Sequence, residues 1–253
     1  MLQIRQLTKK YPIPTKIFSK EKQQYKKALD EVSFDLVPGL YGLLGPNGAG
    51  KSTLINIITG GLRPSAGAVR WNDISIKKLG KKYRKILGYM PQQQSLYENF
   101  TGRQFLLYMC ALKEIKSEVA VQEVERVSQR VNLNDELDKR LSAYSGGMKQ
   151  RLLAASAVLG NPKILIFDEP TAGLDPKERA RLRTFMKELS ADAIVLTATH
   201  VVSDVENVAD EILLLKDGKL IEKAPVDKLI EKYAPNGSLE QVYLNIFGEE
   251  GIH

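Results

Sequence analysis

The chain has 253 residues, 43% of them apolar and 26% charged, with a formal net charge of +7. That is enough apolar residue for a sizeable core in one or two domains. No apolar run approaches the roughly 18 residues that span a bilayer, and the single cysteine, Cys110, excludes an intramolecular disulfide or a cysteine-based metal cluster.

The opening residues, Met1 to Gln6, lack the apolar segment of a signal peptide, so the sequence reads as that of a soluble cytosolic chain. Short strand-like runs are predicted at residues 2–7, 28–36 and 68–76, with Pro38-Gly39 as a turn. Residues 9–27 carry seven lysines against one glutamate, and residues 77–85 carry six Lys or Arg and no acid. Such stretches suit anionic headgroups, nucleic acid or a nucleotide, or they are solvated loops. They lack the interleaved aromatics of a single-strand-binding surface, so no nucleic acid is expected. The basic segment from Pro12 to Lys27 reads as a loop or extended hairpin.

Residues 41–44 read as a buried strand and residues 53–58 as a helix. Between them stands Gly45-Pro46-Asn47-Gly48-Ala49-Gly50-Lys51-Ser52, which fits G-x-x-x-x-G-K-[ST]. The glycines let backbone N–H groups turn inward around a polyphosphate, and the helix N-terminus adds positive charge there. Lys51 reaches the β- and γ-phosphates and the Ser52 hydroxyl ligates Mg²⁺. The pattern therefore predicts a nucleoside triphosphate site.

A further buried strand, residues 87–90, ends at Pro91-Gln92, where an amide reaches metal or water. Helices are predicted from about residue 97 to 158. Residues 105–112 are strongly apolar and hold Cys110 as a core residue. Val121, Val124, Val127 and Val131 form a stripe at helical spacing behind Ser117 as a cap. Tyr144-Ser145-Gly146-Gly147-Met148 places Ser-Gly-Gly at a helix start, which reads as a second anion site or as a plain N-cap. That helix stops at Gly160-Asn161-Pro162.

Residues 164–167 and 194–196 are continuous apolar runs suited to a parallel sheet covered on both faces. The first ends in Asp168-Glu169: a buried strand delivers Asp168 to a Mg²⁺ shell, and Glu169 polarises a water against the γ-phosphate. The second ends in Thr197-Ala198-Thr199-His200. Between them Asp175-Pro176-Lys177-Glu178 is a capped helix start with Leu182, Phe185, Met186 and Leu189 as its apolar face. Asp217-Gly218 signals a hairpin.

Together these residues resemble the ATP-binding cassette (ABC) ATPase family over nearly the whole chain. The order matches a Walker A loop at 45–52, a Q-loop at Gln92, a signature at 144–148, a Walker B strand at 164–168 followed by Glu169, a D-loop at 172–175 and an H-loop at His200. The signature differs from L-S-G-G-Q by Tyr144 and Met148, with Ser145, Gly146 and Gly147 intact. The resemblance implies an α/β fold: a P-loop NTPase (RecA-like) parallel sheet with an N-terminal antiparallel β-subdomain and an inserted helical subdomain at about 95–160. The nucleotide-binding domain is expected over 1–235 and a short C-terminal appendage over 236–253.

The resemblance also implies roles. Tyr11, with Tyr25 as the alternative, stacks on adenine, and Gly45, Pro46, Asn47, Gly48, Ala49, Gly50, Lys51, Ser52 and Thr53 hold ATP. Tyr144, Ser145, Gly146, Gly147 and Asp175 complete the site of a second cassette in a head-to-tail sandwich dimer. Ser52, Gln92 and Asp168 hold Mg²⁺; Glu169, His200, Lys51 and Gln92 serve hydrolysis. The implied partner is a separate transmembrane permease at the inner face of the membrane. Residues 144–151 and 238–244 resemble bacterial drug, antibiotic and polysaccharide exporter cassettes. A soluble cassette of an assembly machine, such as iron–sulfur scaffolding, is the alternative. Leu96, Tyr97 and Phe100 are either anchors for a permease helix or helical core.

Overall fold

The structure, a computed structural model, describes residues 1–13, 24–92 and 96–248. In chain order its elements begin with β1 (Leu2–Pro12), β2 (Tyr25–Leu36), β3 (Gly39–Leu44), α1 (Lys51–Ile58), β4 (Ala66–Trp71) and β5 (Ile74–Ser75). Two short helices, α2 (Ile76–Leu79) and α3 (Lys81–Lys85), lead to β6 (Leu87–Met90). Then come α4 (Gly102–Leu112), α5 (Ser117–Arg130), α6 (Gly146–Ala157), β7 (Ile164–Asp168), α7 (Pro176–Leu189) and β8 (Ile194–Ala198). The chain closes with β9 (Glu211–Lys216), β10 (Lys219–Ala224), α8 (Val226–Tyr233) and α9 (Leu239–Phe247). These elements form two compact units.

The first unit takes the described residues of Met1–Val37, Leu43–Gly80 and the chain from Glu211 onward. Its antiparallel sheet runs β2-β1-β4-β5 and buries Leu2, Ile4, Leu7, Leu29 and Leu36 completely or nearly so. β1 and β2 run longer than the predicted spans, because the lysine-rich ends pair as Tyr11↔Lys26 and Pro12↔Tyr25. The middle of the predicted basic loop, residues 14–23, lies outside the described residues. The predicted Asp217-Gly218 hairpin forms, both residues with positive φ (49° and 76°), as a two-residue turn with right-handed strand twist requires. The order here is β10-β9-β3, with Leu43 and Leu44 supplying the end of β3. α9 comes from the segment read as an appendage, yet it buries Leu239, Val242 and Phe247. Lys216 Nζ donates to the Ile246 carbonyl at 3.0 Å, fastening α9 to β9.

The second unit takes Pro38–Gly42 and Lys81–Asp210. β6, β7 and β8 are parallel, in register Leu87↔Ile164↔Ile194, and the order is β3-β8-β7-β6. Every residue of β7 and β8 is buried, which explains their unbroken apolar runs. A parallel pair needs a long crossover, and α7 supplies it between β7 and β8. One core joins Phe105, Leu106 and Cys110 of α4, Val124 and Val127 of α5, α6, and Leu165 and Phe167 of β7. Cys110 is fully buried as predicted, and burial pushes its thiol up to about 11.

The α5 start corrects the sequence reading. Its N-cap is Lys116, Ser117 makes no capping hydrogen bond, and Val121 is 55% exposed while Ala120 takes a buried place in the stripe. A cap that does form lies at α4, outside the signals read from the sequence: Thr101 and Gln104 make a reciprocal capping box.

Lys113 reaches under the end of α6, donating to the carbonyls of Ala157 (3.1 Å) and Leu159 (2.9 Å). Burial lowers its ammonium from 10.5 to about 8. Between those values the unfolded chain binds a proton that the native chain does not, so stability rises with pH through this window. We expect the unfolding free energy of the wild type, taken relative to Lys113→Met, to climb from pH 8 to pH 10 in urea titrations. A flat difference would remove Lys113 as a buried titrating group.

Candidate nucleotide site

The first unit carries the phosphate loop. Gly45 follows β3 buried against β9, where an added Cβ would stand 2.2 Å from the Leu215 carbonyl oxygen. Gly50 has φ +107°, and its Cβ would lie 2.5 Å from the Ala28 carbonyl oxygen, so only glycine fits. A methyl added at Gly48, where φ is +82°, would meet nothing within 4 Å, which leaves an open face. The hairpin turn braces the loop from behind: Gly218 N–H donates to the Ala49 carbonyl at 3.0 Å, and Asp30 N–H donates to the Gly218 carbonyl at 2.8 Å.

α1 starts at Lys51 with Gly50 as N-cap, no side-chain cap and no acid in its first turn. Neither a capping side chain nor an acid competes there, so the positive end of the helix dipole is left to favour an anion. The Lys51 ammonium arches back over the loop to the Gly45 and Pro46 carbonyls, the latter at 3.1 Å. Asn47, Gly48 and Ser52 are exposed, Pro46 and Thr53 half-buried and Ala49 buried. The cradle fits a polyphosphate, and the Ser52 hydroxyl is a hard oxygen ligand of the kind Mg²⁺ takes. Tyr11 and Tyr25, the two adenine-stacking candidates, are 40% and 57% exposed in this unit. The β1–β2 register puts them on opposite faces of the ribbon, so one face offers Tyr11 and the other Tyr25. Lys9 lies over the Tyr11 ring at 5.2 Å.

The second unit carries the carboxylates. Parallel register aligns Met90 with Phe167 and Asp168 with Ala198, so Gln92, Glu169 and His200 all follow the same carboxyl edge. Open parallel sheets bind their ligands at that edge. Asp168 is buried at the end of β7, and burial together with its charge holds the Tyr89 phenol above the ordinary value. Glu169 has φ +50°, a costly conformation for a side-chain-bearing residue, fixed by its N–H bond to the Ala198 carbonyl at 2.8 Å. Its carboxylate is buried, and His200 Nδ1 stands 2.9 Å from Oε2. That close approach holds the imidazole beside the carboxylate, with Nε2 as the nitrogen on the far side of the ring. Gln92 is exposed beyond β6.

The predicted anion site on α6 is also in this unit. Ser145 is the N-cap, its Oγ accepting from Met148 N–H at 3.2 Å, which still leaves its O–H proton to donate outward. Ser145 and Gly146 are exposed and Gly147 half-buried, with no acid in the first turn. Tyr144, expected with Ser145, Gly146 and Gly147 at the second cassette's site, points its side chain elsewhere. It is buried, donating its hydroxyl to the Glu136 carbonyl at 2.8 Å. Asp175 accepts from Glu178 N–H at 2.9 Å and caps α7 in front of Pro176, so its carboxylate serves the helix. Leu96 and Phe100 pack against the core, whereas Tyr97 is 52% exposed, stacked on Phe100 and meeting Tyr108 edge-on.

A glycine cradle at an uncapped helix start and a buried Asp-Glu pair closing a parallel strand define a P-loop nucleoside triphosphatase. Residues 29–172 match the family described as ABC transporter. The chain is 35% identical over 239 residues to an uncharacterized ABC transporter ATP-binding protein, YxlF, of Bacillus subtilis, covering 93% of this chain and 75% of that one. It is 38% identical to ABC transporter A family member 3 of Arabidopsis thaliana over 77% of its own length but only 21% of the plant protein's. Among solved structures, an ATP-binding subunit of an ABC transporter superposes with TM-score 0.81 at 26% identity, covering 97% of this chain and 99% of that one. A dimeric post-hydrolysis state of the cassette MJ0796 bound to ADP and Pi gives 0.75 at 25% identity, covering 89% and 98%. The chain belongs to the ABC transporter ATPase family. It is the ATP-binding subunit of a transporter, an ATPase that uses ATP with Mg²⁺. Among the described residues no helix is long and apolar enough to cross a membrane.

Gly50 and Gly48 make a matched pair for measurement. Gly48→Ala should cost about 1 kcal/mol from its left-handed backbone alone. Gly50→Ala adds a collision with backbone, so ATP binding, followed by a fluorescent nucleotide analogue, should be lost there. Equal ATP affinity in the two variants would refute this reading of the loop.

Proposed function

We propose that this subunit energises export through a separate membrane permease, working as a sandwich dimer of cassettes at the cytoplasmic face of the membrane. Each nucleotide would take its P-loop from one protomer and Ser145, Gly146 and Gly147 from the other, with a related cassette as the alternative partner. MJ0796, a relative of similar fold, has been seen as a dimer, which supports the sandwich reading. The export direction rests on residues 144–151 and 238–244, which resemble exporter cassettes. The substrate belongs to the permease. Tyr97, exposed beside Phe100 and Tyr108, is the apolar anchor this chain offers a permease helix.

The single observation that carries the hydrolytic reading is His200 Nδ1 at 2.9 Å from the buried Glu169 carboxylate. In the proposed assignment Glu169 accepts the proton of the attacking water, while His200, held beside Glu169, presents its imidazole toward the γ-phosphate. Lys51, the α1 N-terminus and the partner's α6 N-terminus stabilise the charge that develops there. Ser52, Asp168 and Gln92 would hold Mg²⁺, which would supply positive charge against the phosphates. Tyr11 would stack on adenine. Apart from the proton taken by Glu169, these residues contribute position and charge.

Glu169→Gln tests this assignment, because it keeps the shape and removes the base. ATP affinity should stay near wild type while turnover falls by about two orders of magnitude or more. ATP with Mg²⁺ should then hold the variant as a dimer in size-exclusion chromatography. Wild-type turnover in Glu169→Gln would take Glu169 out of the base role.

A further inference from the structure

Asp204 is 2% exposed, and nothing in the hydrolytic assignment uses it. It closes the short turn after His200: its N–H donates to the Val201 carbonyl at 3.1 Å, and Val201 N–H donates to Thr199 Oγ1 at 3.0 Å. Its Oδ2 accepts a short hydrogen bond from the hydroxyl of Thr171, itself 1% exposed. Thr171 lies two residues after Glu169, and its carbonyl accepts from Leu174 N–H at 3.1 Å, so it opens the D-loop. Among the described residues Asp204 Oδ1 accepts no hydrogen bond, although the Arg183 guanidinium lies 3.8 Å away. Arg183 instead donates to the Ser203 carbonyl at 2.9 Å, holding the same turn from α7.

A buried carboxylate with a single hydrogen-bond donor is costly if its role is only to fill space, since apolar side chains would pack there without desolvation. What it does is tie two strand ends. Glu169 hangs from β7 and His200 from β8, and the imidazole must stay 2.9 Å from the carboxylate. The Thr171–Asp204 bond joins the segment after Glu169 to the segment after His200, a second strut parallel to the first. We propose that Thr171 and Asp204 are a positioning pair for hydrolysis, setting where His200 stands relative to Glu169 and to the D-loop. This inference rests on the hydrolytic role given above to Glu169 and His200.

The test is a cycle on the intact protein with Thr171→Val, Thr171→Ser, His200→Ala and the double variant Thr171→Val/His200→Ala, with ATP affinity, steady-state turnover and single-turnover hydrolysis as readouts. Thr171→Val removes the hydroxyl at nearly constant shape. It should lower kcat about tenfold or more with ATP affinity within about twofold, and Thr171→Ser should restore kcat. In the His200→Ala background Thr171→Val should cause no further loss, because the group it positions is gone. If Thr171→Val fails to fold, Thr171→Ala in both backgrounds supplies the cycle, since it removes the same hydroxyl with less bulk. Wild-type kcat in Thr171→Val, or losses that multiply with His200→Ala, would overturn the positioning role while leaving the hydrolytic one standing. Wild-type turnover in His200→Ala itself would instead overturn both.

Discussion

Parallel register is the constraint on which the second unit depends. Because Leu87, Ile164 and Ile194 lie side by side, β6, β7 and β8 run out together, and whatever follows each strand arrives at one edge. The apolar runs that make these strands buried on both faces therefore also decide which polar residues meet. Asp168 and Glu169 follow β7, His200 follows β8 and Gln92 follows β6. A one-residue slip would exchange the two buried faces of a strand and shift the residues that follow it along the edge. Chemistry here is a consequence of packing: the core of Phe105, Val124, Leu152, Leu165 and Phe167 holds the strands in that register.

The first unit solves a different problem, that of offering bare N–H groups to an anion without leaving a buried, unsatisfied backbone. The loop from Gly45 to Ser52 does so by giving up side chains where it passes other backbone, at Gly45 against Leu215 and at Gly50 against Ala28. The Asp217-Gly218 turn then satisfies the Ala49 carbonyl. A hairpin far along the chain thus stiffens the phosphate cradle, and α9, fastened by Lys216 to β9, adds to that support.

Much of this was legible in the sequence, for identifiable reasons. The Gly45–Ser52 pattern, the strands ending in Asp168 and His200 and the Asp175-Pro176 cap are local signals in which residue type fixes backbone geometry. Signals that depend on tertiary packing were not legible. Val121 has helical spacing but faces outward, because the buried side of α5 is drawn through Ala120, Val124 and Val127. Tyr144 stands beside the exposed Ser-Gly-Gly yet turns into the helical core toward Glu136. The lysine-rich ends of the predicted loop pair as strands because β-pairing needs only alternating faces and free backbone groups, not apolar side chains. The Thr171–Asp204 bond joins residues 33 apart whose partnership no spacing rule announces.

The central claim is that one working nucleotide site is built from the P-loop of one protomer and the Ser145 turn of another. Mixing separately inactive Lys51→Ala and Ser145→Ala proteins tests it most directly, by the ATP turnover of the mixture. A mixed dimer holds one site with both lesions and one with neither, so random pairing should recover about a quarter of wild-type turnover if sites fire independently. Turnover that stays at the level of the two separate variants, in a mixture shown to contain mixed dimers, would contradict the shared site.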